Sequence, residues 1–173
     1  MAKYVFGVDI GGTTVKIGLF TAEGTMVDKW EITTRTDEGG KYILGDIAAS
    51  IEDKLADKQI EKSEIKGIGM GVPGPVKADG TVLRCVNLGW GIFNAADELS
   101  KIIGLPVKVG NDANMAALGE MWQGGGKGFS NIVMVTLGTG VGGGIILDGK
   151  MLSGVNGAGG WKNSRRGMER EFG

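Results

Sequence analysis

The sequence predicts a layered α/β fold, and the mixed order of strand-like and helix-like segments leads to that prediction. Short apolar, β-branched segments alternate with amphipathic segments of helical period along most of the chain. Glycine accounts for 34 of 173 residues, against a usual share of about 7%, and it is clustered rather than spread. Proline is rare, with 3 residues, so the composition is not that of a low-complexity segment. Mixed strand and helix order of this kind is typical of a sheet covered by helices.

The predicted elements follow one another in a regular order. Three antiparallel strands come first, followed by helix, strand, helix, strand and helix, and then by a further hairpin. The first helix is indicated by apolar residues that recur every four positions, namely Ile43, Ile47, Ile51 and Leu55. The strands are predicted at residues 3–10, 14–20, 25–33, 65–72, 106–110, 131–137 and 143–147. The helices are predicted at residues 41–57, from Asn94 to before Gly104, and from Asn111 to Gln123.

The charge and residue counts exclude several classes of site. The chain holds 19 basic and 20 acidic side chains, a balance that predicts no nucleic-acid partner. It has no histidine, which excludes a Ser-His-Asp triad and a histidine-ligated zinc ion within this chain. Its single cysteine, Cys85, excludes an internal disulfide and a cysteine-ligated metal cluster, and it is typical of a cytoplasmic protein. A general base in this chain is therefore a carboxylate or, less often, a lysine.

Residues 128–147 form a 20-residue stretch without charge, which is the length of a membrane span. Each glycine within this stretch would cost a helix about 1 kcal/mol. These glycines are Gly128, Gly138, Gly140, Gly142, Gly143 and Gly144. We therefore predict two strands joined by a glycine turn, and a protein without a membrane partner. Asp9 interrupts the apolar start of the chain before the core of a signal peptide could form, so we expect a cytoplasmic location.

Two segments share one pattern of strand, glycine turn and strand, namely Val8–Thr14 and Val135–Val141. Two copies of one hairpin predict two related lobes. We predict a first lobe over residues 1–120 and the opening strands of a second lobe over residues 121–160. The last segment, residues 161–173, is an atypical charged tail.

The two glycine turns are candidates for phosphate binding. In the first, Gly11, Gly12 and Thr13 offer backbone N–H groups and a hydroxyl directly after Asp9. Bare backbone allows a phosphate to approach the main chain, and an aspartate can hold Mg²⁺ through its water shell. Lys16, on the following strand, can reach the same phosphates. An ordinary hairpin is the alternative for either turn alone, but a second such turn favours the phosphate interpretation; it contains Gly138, Thr139, Gly140, Gly142 and Gly143.

Asn111 and Asp112 lie where a predicted strand meets a helix N-terminus, an environment that favours the ionised carboxylate. Such a carboxylate can accept or orient a hydroxyl proton during phosphoryl transfer. Helix capping is the alternative, and both roles can coexist. Two further loops follow strands and carry Gly74 and Asn87, whose backbone and amide groups suit a polar ligand. For these loops the alternative is a rigid turn, with Trp90 covering the core.

The order and gaps of these motifs resemble a known family. The motifs are Asp9–Thr13, Val72–Val76, Val86–Trp90, Gly110–Asn114 and Leu137–Gly144. Together they resemble the bacterial glucokinases of the ROK family, which are sugar kinases with the actin/hexokinase-like (ribonuclease H-like) ATPase fold. The resemblance covers residues 1–160, and it implies a complete first lobe and a partial second lobe.

The resemblance implies ATP-dependent phosphorylation of the 6-hydroxyl of glucose or a related hexose, with ATP and Mg²⁺ as cofactors. It implies that Asp112 is the catalytic base and Asn111 a sugar ligand, and that Gly74 and Asn87 lie in loops lining the sugar pocket. Both glycine hairpins correspond to the elements that bind the phosphates of ATP.

The chain departs from the family pattern after Gly160. Residues 161–164, Trp-Lys-Asn-Ser, stand where the family has Glu-x-Gly-His, whose side chains contact sugar and zinc. We therefore expect a truncated or frame-shifted product that lacks sugar contacts and, with them, transition-state stabilisation. The alternatives are a non-catalytic module that binds nucleotide or sugar, a module that pairs with another subunit in an oligomer, and a fragment of a ROK-type repressor.

Overall fold

The computed structural model describes residues 2–137, 140–152 and 162–164. The chain divides into two compact units, residues 1–110 and residues 111–173. This division precedes the lobe boundary at residue 120 that the sequence predicts, because the helix that begins at Asp112 packs against strands of the second unit.

The first unit is built on a five-stranded sheet. Its strands are β1 (Tyr4–Ile10), β2 (Thr14–Thr21), β3 (Met26–Thr33), β4 (Ile65–Val72) and β7 (Val107–Asn111), and β7 runs across the division between the units. The sheet order is β3-β2-β1-β4-β7. Strand β1 pairs antiparallel with β2 and parallel with β4. The remaining elements are β5 (Thr81–Val82), β6 (Phe93–Asn94), α1 (Asp37–Gly40), α2 (Ile43–Lys58), α3 (Ala95–Ile103) and the 3₁₀ turns Lys62–Glu64 and Val86–Leu88.

The core of the first unit lies between one face of the sheet and the helices α2 and α3. Alternate residues of β1 are buried on this face, namely Phe6, Val8 and Ile10. The four predicted helix residues Ile43, Ile47, Ile51 and Leu55 are all buried, which confirms that the period of the sequence marks the inner face of α2. The mixed α/β order is confirmed. The pair β5–β6 was not predicted because two-residue strands are too short to show a period.

The second unit contains α4 (Asp112–Gln123), β8 (Ile132–Leu137), β9 (Gly140–Leu147), β10 (Lys150–Met151) and β11 (Lys162–Ser164). Strand β9 is central and pairs antiparallel with β8, β10 and β11. The uncharged stretch thus forms a strand pair in its described part, and no helix of the described residues is both long and apolar enough to cross a membrane.

Strand β9 begins at Gly140, earlier than the predicted start at residue 143. Residues 140–142 extend the strand because they pair with β11. Helix α4 lies on the glycines of this strand. A Cβ at Gly144 would lie 2.6 Å from the Cβ of Ala117, and one at Gly142 would lie 3.4 Å from the Cβ of Ala113. Bare backbone in β9 is therefore required by the close approach of a helix.

Edge strand β3 is attached to α2 by polar side chains. Asp28 forms ion pairs with Lys58 at 2.9 Å and with Lys54 at 3.2 Å. The indole N–H of Trp30 donates to Ser50 Oγ at 2.8 Å, and Lys54 Nζ lies 4.8 Å from the centre of a Trp30 ring. These contacts hold the outermost strand on the helix layer.

The Asp28 ion pairs predict a pH dependence of stability. Hydrogen bonds from Lys58 and Lys54 lower the pKa of Asp28 to about 2. Since the unfolded value is about 3.9, the pairs stabilise the fold fully above about pH 4, and this contribution is lost as the pH falls through about 2. We expect Asp28→Asn to lower the free energy of unfolding at pH 7 and to weaken its decline between pH 4 and 2. Urea unfolding followed by circular dichroism measures both. Asp57→Asn, at an exposed position of the helix that carries Lys54 and Lys58, is the control and should have the smaller effect on both.

Two glycine substitutions in the second unit test the packing of α4 on β9, one at the contact and one away from it. We expect Gly144→Ala to destabilise this unit by about 1–3 kcal/mol, because its Cβ would overlap Ala117. At Gly119, inside α4, an added Cβ would meet no atom within 4 Å, so Gly119→Ala should stabilise the helix by about 0.5–1 kcal/mol. Thermal unfolding of both variants measures the difference. Equal effects of the two substitutions would show that close packing does not explain Gly144.

Candidate functional site

The turn between β1 and β2, residues 11–14, is supported from the interior by Thr34. Within the turn, the N–H of Gly11 donates to the carbonyl of Thr14 at 3.0 Å. The buried Thr34 donates its hydroxyl to the carbonyl of Gly11 at 2.8 Å and its N–H to the carbonyl of Thr13 at 2.9 Å. The carbonyl groups of the turn are thereby held toward the protein.

The outer side of the same turn is open. Gly12 and Thr13 are exposed, and a Cβ at Gly12 would meet no atom within 4 Å. The N–H groups of Gly12 and Thr13 make no hydrogen bond to another residue in the described part of the chain. Adjacent unbonded N–H groups on an open turn fit the oxygens of a phosphate.

Three charged residues lie in one row across the sheet beside this turn. Asp9 of β1 is opposite Lys16 of β2, and Lys16 is opposite Glu31 of β3. All three are exposed, on the face of the sheet that points away from the core. Lys16 offers a cation to a phosphate, while Asp9 offers a carboxylate to the water shell of Mg²⁺. The residues around the first turn therefore fit a magnesium-bound phosphate group.

The loops that carry Gly74 and Asn87 are in contact with each other. Cys85 Sγ donates to the carbonyl of Pro73 at 3.5 Å, and a Cβ at Gly74 would lie 2.7 Å from the carbonyl oxygen of Arg84. Since this distance leaves no room for a side chain, a glycine at position 74 allows the two loops to meet. Gly74 is buried, and its N–H donates to the carbonyl of Val72 at 2.9 Å. Asn87 is exposed, in the 3₁₀ turn Val86–Leu88.

Both regions of the first unit lie at one edge of the sheet. Strands β1 and β4 are parallel neighbours, with Asp9 opposite Gly71, so the turn after β1 and the loop after β4 leave the sheet on the same side. Ligands of parallel sheets bind at the carboxyl ends of the strands for this reason. The structure thus places the predicted phosphate turn and the predicted sugar loops at a common edge.

A third loop at this site does not follow from the sequence motifs. This loop is the single turn Asp37–Gly40, named α1 above, and it contacts residues 88–90. The indole N–H of Trp90 donates to the carbonyl of Gly40 at 3.1 Å. Thr34 was also missed, because its role depends on the pairing of β3 beside the first turn. The adjacent glycines 39 and 40 were a signal for close backbone contact, whereas nothing in the sequence distinguishes Thr34 from its neighbour Thr33.

In the second unit, Asn111 and Asp112 begin helix α4. Asn111 Oδ1 accepts the N–H groups of Ala113 at 3.1 Å and Asn114 at 3.3 Å, which confirms the capping alternative for this residue. Asp112 is half-buried, and its Oδ1 accepts the N–H of Ala113 at 2.9 Å. Its Oδ2 accepts no hydrogen bond from the described residues. A carboxylate held by one oxygen is suited to receive a proton at the other, and that role of Asp112 stays a prediction.

Buried in the first turn of α4 is a polar atom that no sequence motif marks. Asn114 is 4% exposed, and its Oδ1 has no hydrogen-bond donor within the described residues. A buried acceptor without a donor lowers stability, so this oxygen is an unusual feature of the helix start.

The second glycine turn is only partly described. Gly138 and Thr139 lie outside the described residues, whereas Gly140, Gly142 and Gly143 belong to β9 rather than to a turn. A Cβ at Gly142 would lie 2.6 Å from the hydroxyl of Thr136 on the neighbouring strand β8. A phosphate-binding role for this turn therefore stays a prediction.

Comparison with known proteins gives one consistent family. The sequence pattern of the ROK family matches residues 5–161. A glucokinase of Halalkalibacterium halodurans is 48% identical over 159 residues, which cover 91% of this chain and 48% of that protein. The chain therefore spans about half the length of the curated relatives it matches.

Solved structures agree with this result. A ROK family glucokinase from Streptomyces griseus, solved in complex with glucose and AMPPNP, superposes with a TM-score of 0.77 at 35% identity and covers 89% of this chain and 47% of that one. A ROK family transcriptional regulator, a homologue of the E. coli MLC protein, superposes with a TM-score of 0.77 at 26% identity and covers 91% and 40%. The βββαβαβα order is that of the first lobe of the ROK and actin-like fold. The chain belongs to the ROK family.

Proposed function

We propose that this chain is the substrate-binding part of a ROK sugar kinase that transfers a phosphoryl group from ATP to the 6-hydroxyl of glucose or a related hexose. The observation that carries the proposal is the turn of residues 11–14, which Thr34 supports from inside. The exposed Gly12 and Thr13 of this turn have N–H groups without a hydrogen-bond partner among the described residues. The likeness to a glucokinase solved with glucose and AMPPNP supports the same assignment.

Each residue has a separate task in the proposed reaction. When bound, ATP with Mg²⁺ supplies the phosphoryl group. The N–H groups of Gly12 and Thr13 bind phosphate oxygens, and Lys16 neutralises part of their charge. Asp112 accepts the proton of the hexose hydroxyl as the new O–P bond forms and the bond between the transferred phosphorus and the ADP leaving group breaks. Asn111 and Asn87 orient the sugar. Positioning and electrostatic stabilisation provide most of the catalysis in phosphoryl transfer.

The second candidate is a sugar-binding regulatory module without turnover. The observation in its favour is the likeness to a ROK family transcriptional regulator, at the same TM-score of 0.77 as the glucokinase. Both candidates bind a hexose, so binding alone does not separate them. Phosphorylation of the hexose that depends on Asp112 separates the enzyme from the regulatory module.

Replacement of the predicted base tests the enzyme assignment. We expect Asp112→Asn to reduce ATP-dependent phosphorylation of glucose by at least about 100-fold, because the amide cannot accept the hydroxyl proton. Formation of glucose 6-phosphate by this chain, followed by ³¹P NMR, is the measurement. Asp97→Asn, at a comparable first-turn position of α3, is the control that should retain the activity. Phosphorylation that continues unchanged in Asp112→Asn would contradict the assignment of Asp112 as the base.

Replacement of Thr34 tests the phosphate turn. We expect Thr34→Val to weaken AMPPNP binding about tenfold and to destabilise the first unit by about 1–2 kcal/mol, because the carbonyl of Gly11 loses its buried donor. Thr34→Ser retains the hydroxyl and should preserve both properties, and Thr33→Val, at the exposed neighbouring position, serves as the control. Isothermal titration calorimetry and thermal unfolding measure the two effects. Unchanged AMPPNP affinity in Thr34→Val would argue against the turn as the phosphate site.

A further inference from the structure

The turn Asp37–Gly40 has an uncommon backbone that its own side chains maintain. Glu38, Gly39 and Gly40 all adopt left-handed conformations, with φ values of +50°, +73° and +69°. The carboxylate of Glu38 pairs with Lys41 and accepts the hydroxyl of Tyr42 at 2.9 Å. Glycine adopts this conformation without strain, so the cost falls on Glu38. The contacts of its carboxylate with Lys41 and Tyr42 hold Glu38 in this conformation.

This turn meets the loop that carries Asn87 by close contact of the two backbones. A Cβ at Gly89 would lie 2.9 Å from the Cα of Gly39, and a Cβ at Gly40 would clash with the carbonyl of Leu88. No side chain fits between the two segments. The buried indole of Trp90 adds a hydrogen bond of 3.1 Å to the carbonyl of Gly40.

The Asn87 loop is also closed at its base. Cys85 and Trp90 exchange two backbone hydrogen bonds of 3.0 Å each, and Trp90 packs edge-on against Phe93 with 5.1 Å between the ring centres. Asn87 is thus an exposed residue on a loop that is held at both ends by the Cys85–Trp90 pairing and on one side by the turn Asp37–Gly40. A polar group held in this way binds its ligand without the loss of freedom that a mobile loop would suffer.

We propose that Gly39, Gly40, Gly89 and Trp90 are positioning residues, which hold Asn87 in the orientation that binds a hexose. This inference rests on the function proposed above, because it assigns the contact to the sugar side of that site. None of the four residues needs to touch the sugar. Their effect is on hexose affinity, and phosphate binding at the turn of residues 11–14 is independent of them.

The test compares two glycines with the same backbone and different surroundings. Gly89 and Gly104 have φ values of +74° and +72°, but a Cβ at Gly104 meets no atom within 4 Å. Gly89→Ala and Gly104→Ala therefore share the same backbone strain, and only Gly89→Ala separates the two loops. Trp90→Phe removes the hydrogen bond to Gly40 and leaves both glycines intact.

Hydrogen exchange and ligand binding are the two readouts. In Gly89→Ala and Trp90→Phe we expect faster exchange in residues 36–42 and 84–91 together, with strands β1 and β2 unchanged. We expect glucose affinity to fall about tenfold in both, with unchanged AMPPNP affinity, as measured by calorimetry. Gly104→Ala should lower the unfolding temperature without either effect.

Different results separate the positioning role from the proposed function. The positioning role is overturned if the unchanged chain binds glucose and Gly89→Ala binds it equally tightly, or if exchange rises in only one of the two loops. If the unchanged chain binds AMPPNP but not glucose, the proposed hexose site itself fails, and the positioning role fails with it. If Gly104→Ala lost as much glucose affinity as Gly89→Ala, general destabilisation would explain the loss in both variants. The positioning role would then be overturned.

Discussion

The double pairing of β1 organises the whole of the first unit. This strand bonds antiparallel to β2 and parallel to β4, so its carboxyl end is surrounded by the turn that follows it and by the loop that follows β4. Buried Phe6, Val8 and Ile10 bind one face of β1 to the helices. The opposite face of the sheet is exposed at this end, and it carries Asp9 and Lys16 beside the turn.

Close backbone contact is a second requirement, and it explains much of the glycine content. Gly74 lets two loops meet, Gly40 and Gly89 let a turn touch the Asn87 loop, and Gly144 lets α4 lie on β9. In each case a Cβ would lie within 3 Å of another backbone or Cβ atom. These glycines allow the segments that carry them to pack closely. The turn of residues 11–14 differs, because its outer side is open.

Membership of the ROK family and the geometry of the residues make separate contributions to the functional assignment. The family includes glucokinases and transcriptional regulators of the same fold, so fold alone does not decide between turnover and binding. The choice between turnover and binding depends on individual side chains. Asp112 accepts a hydrogen bond at the helix start through one oxygen, so capping and proton transfer are compatible. Asn111 caps the same helix through its side-chain oxygen.

The α/β class, the inner face of α2, the helix start at Asn111 and the first glycine turn could all be predicted from the order of residues. These features depend on local period, capping and turn chemistry, which a few neighbouring residues encode. The folded chain was needed to reveal that Thr34 supports this turn, that Trp90 reaches Gly40, and that Gly140–Gly144 form a strand under a helix. Each of these contacts joins residues distant in the chain, so its physical basis is the packing of whole elements against one another, which a local pattern of residues does not encode.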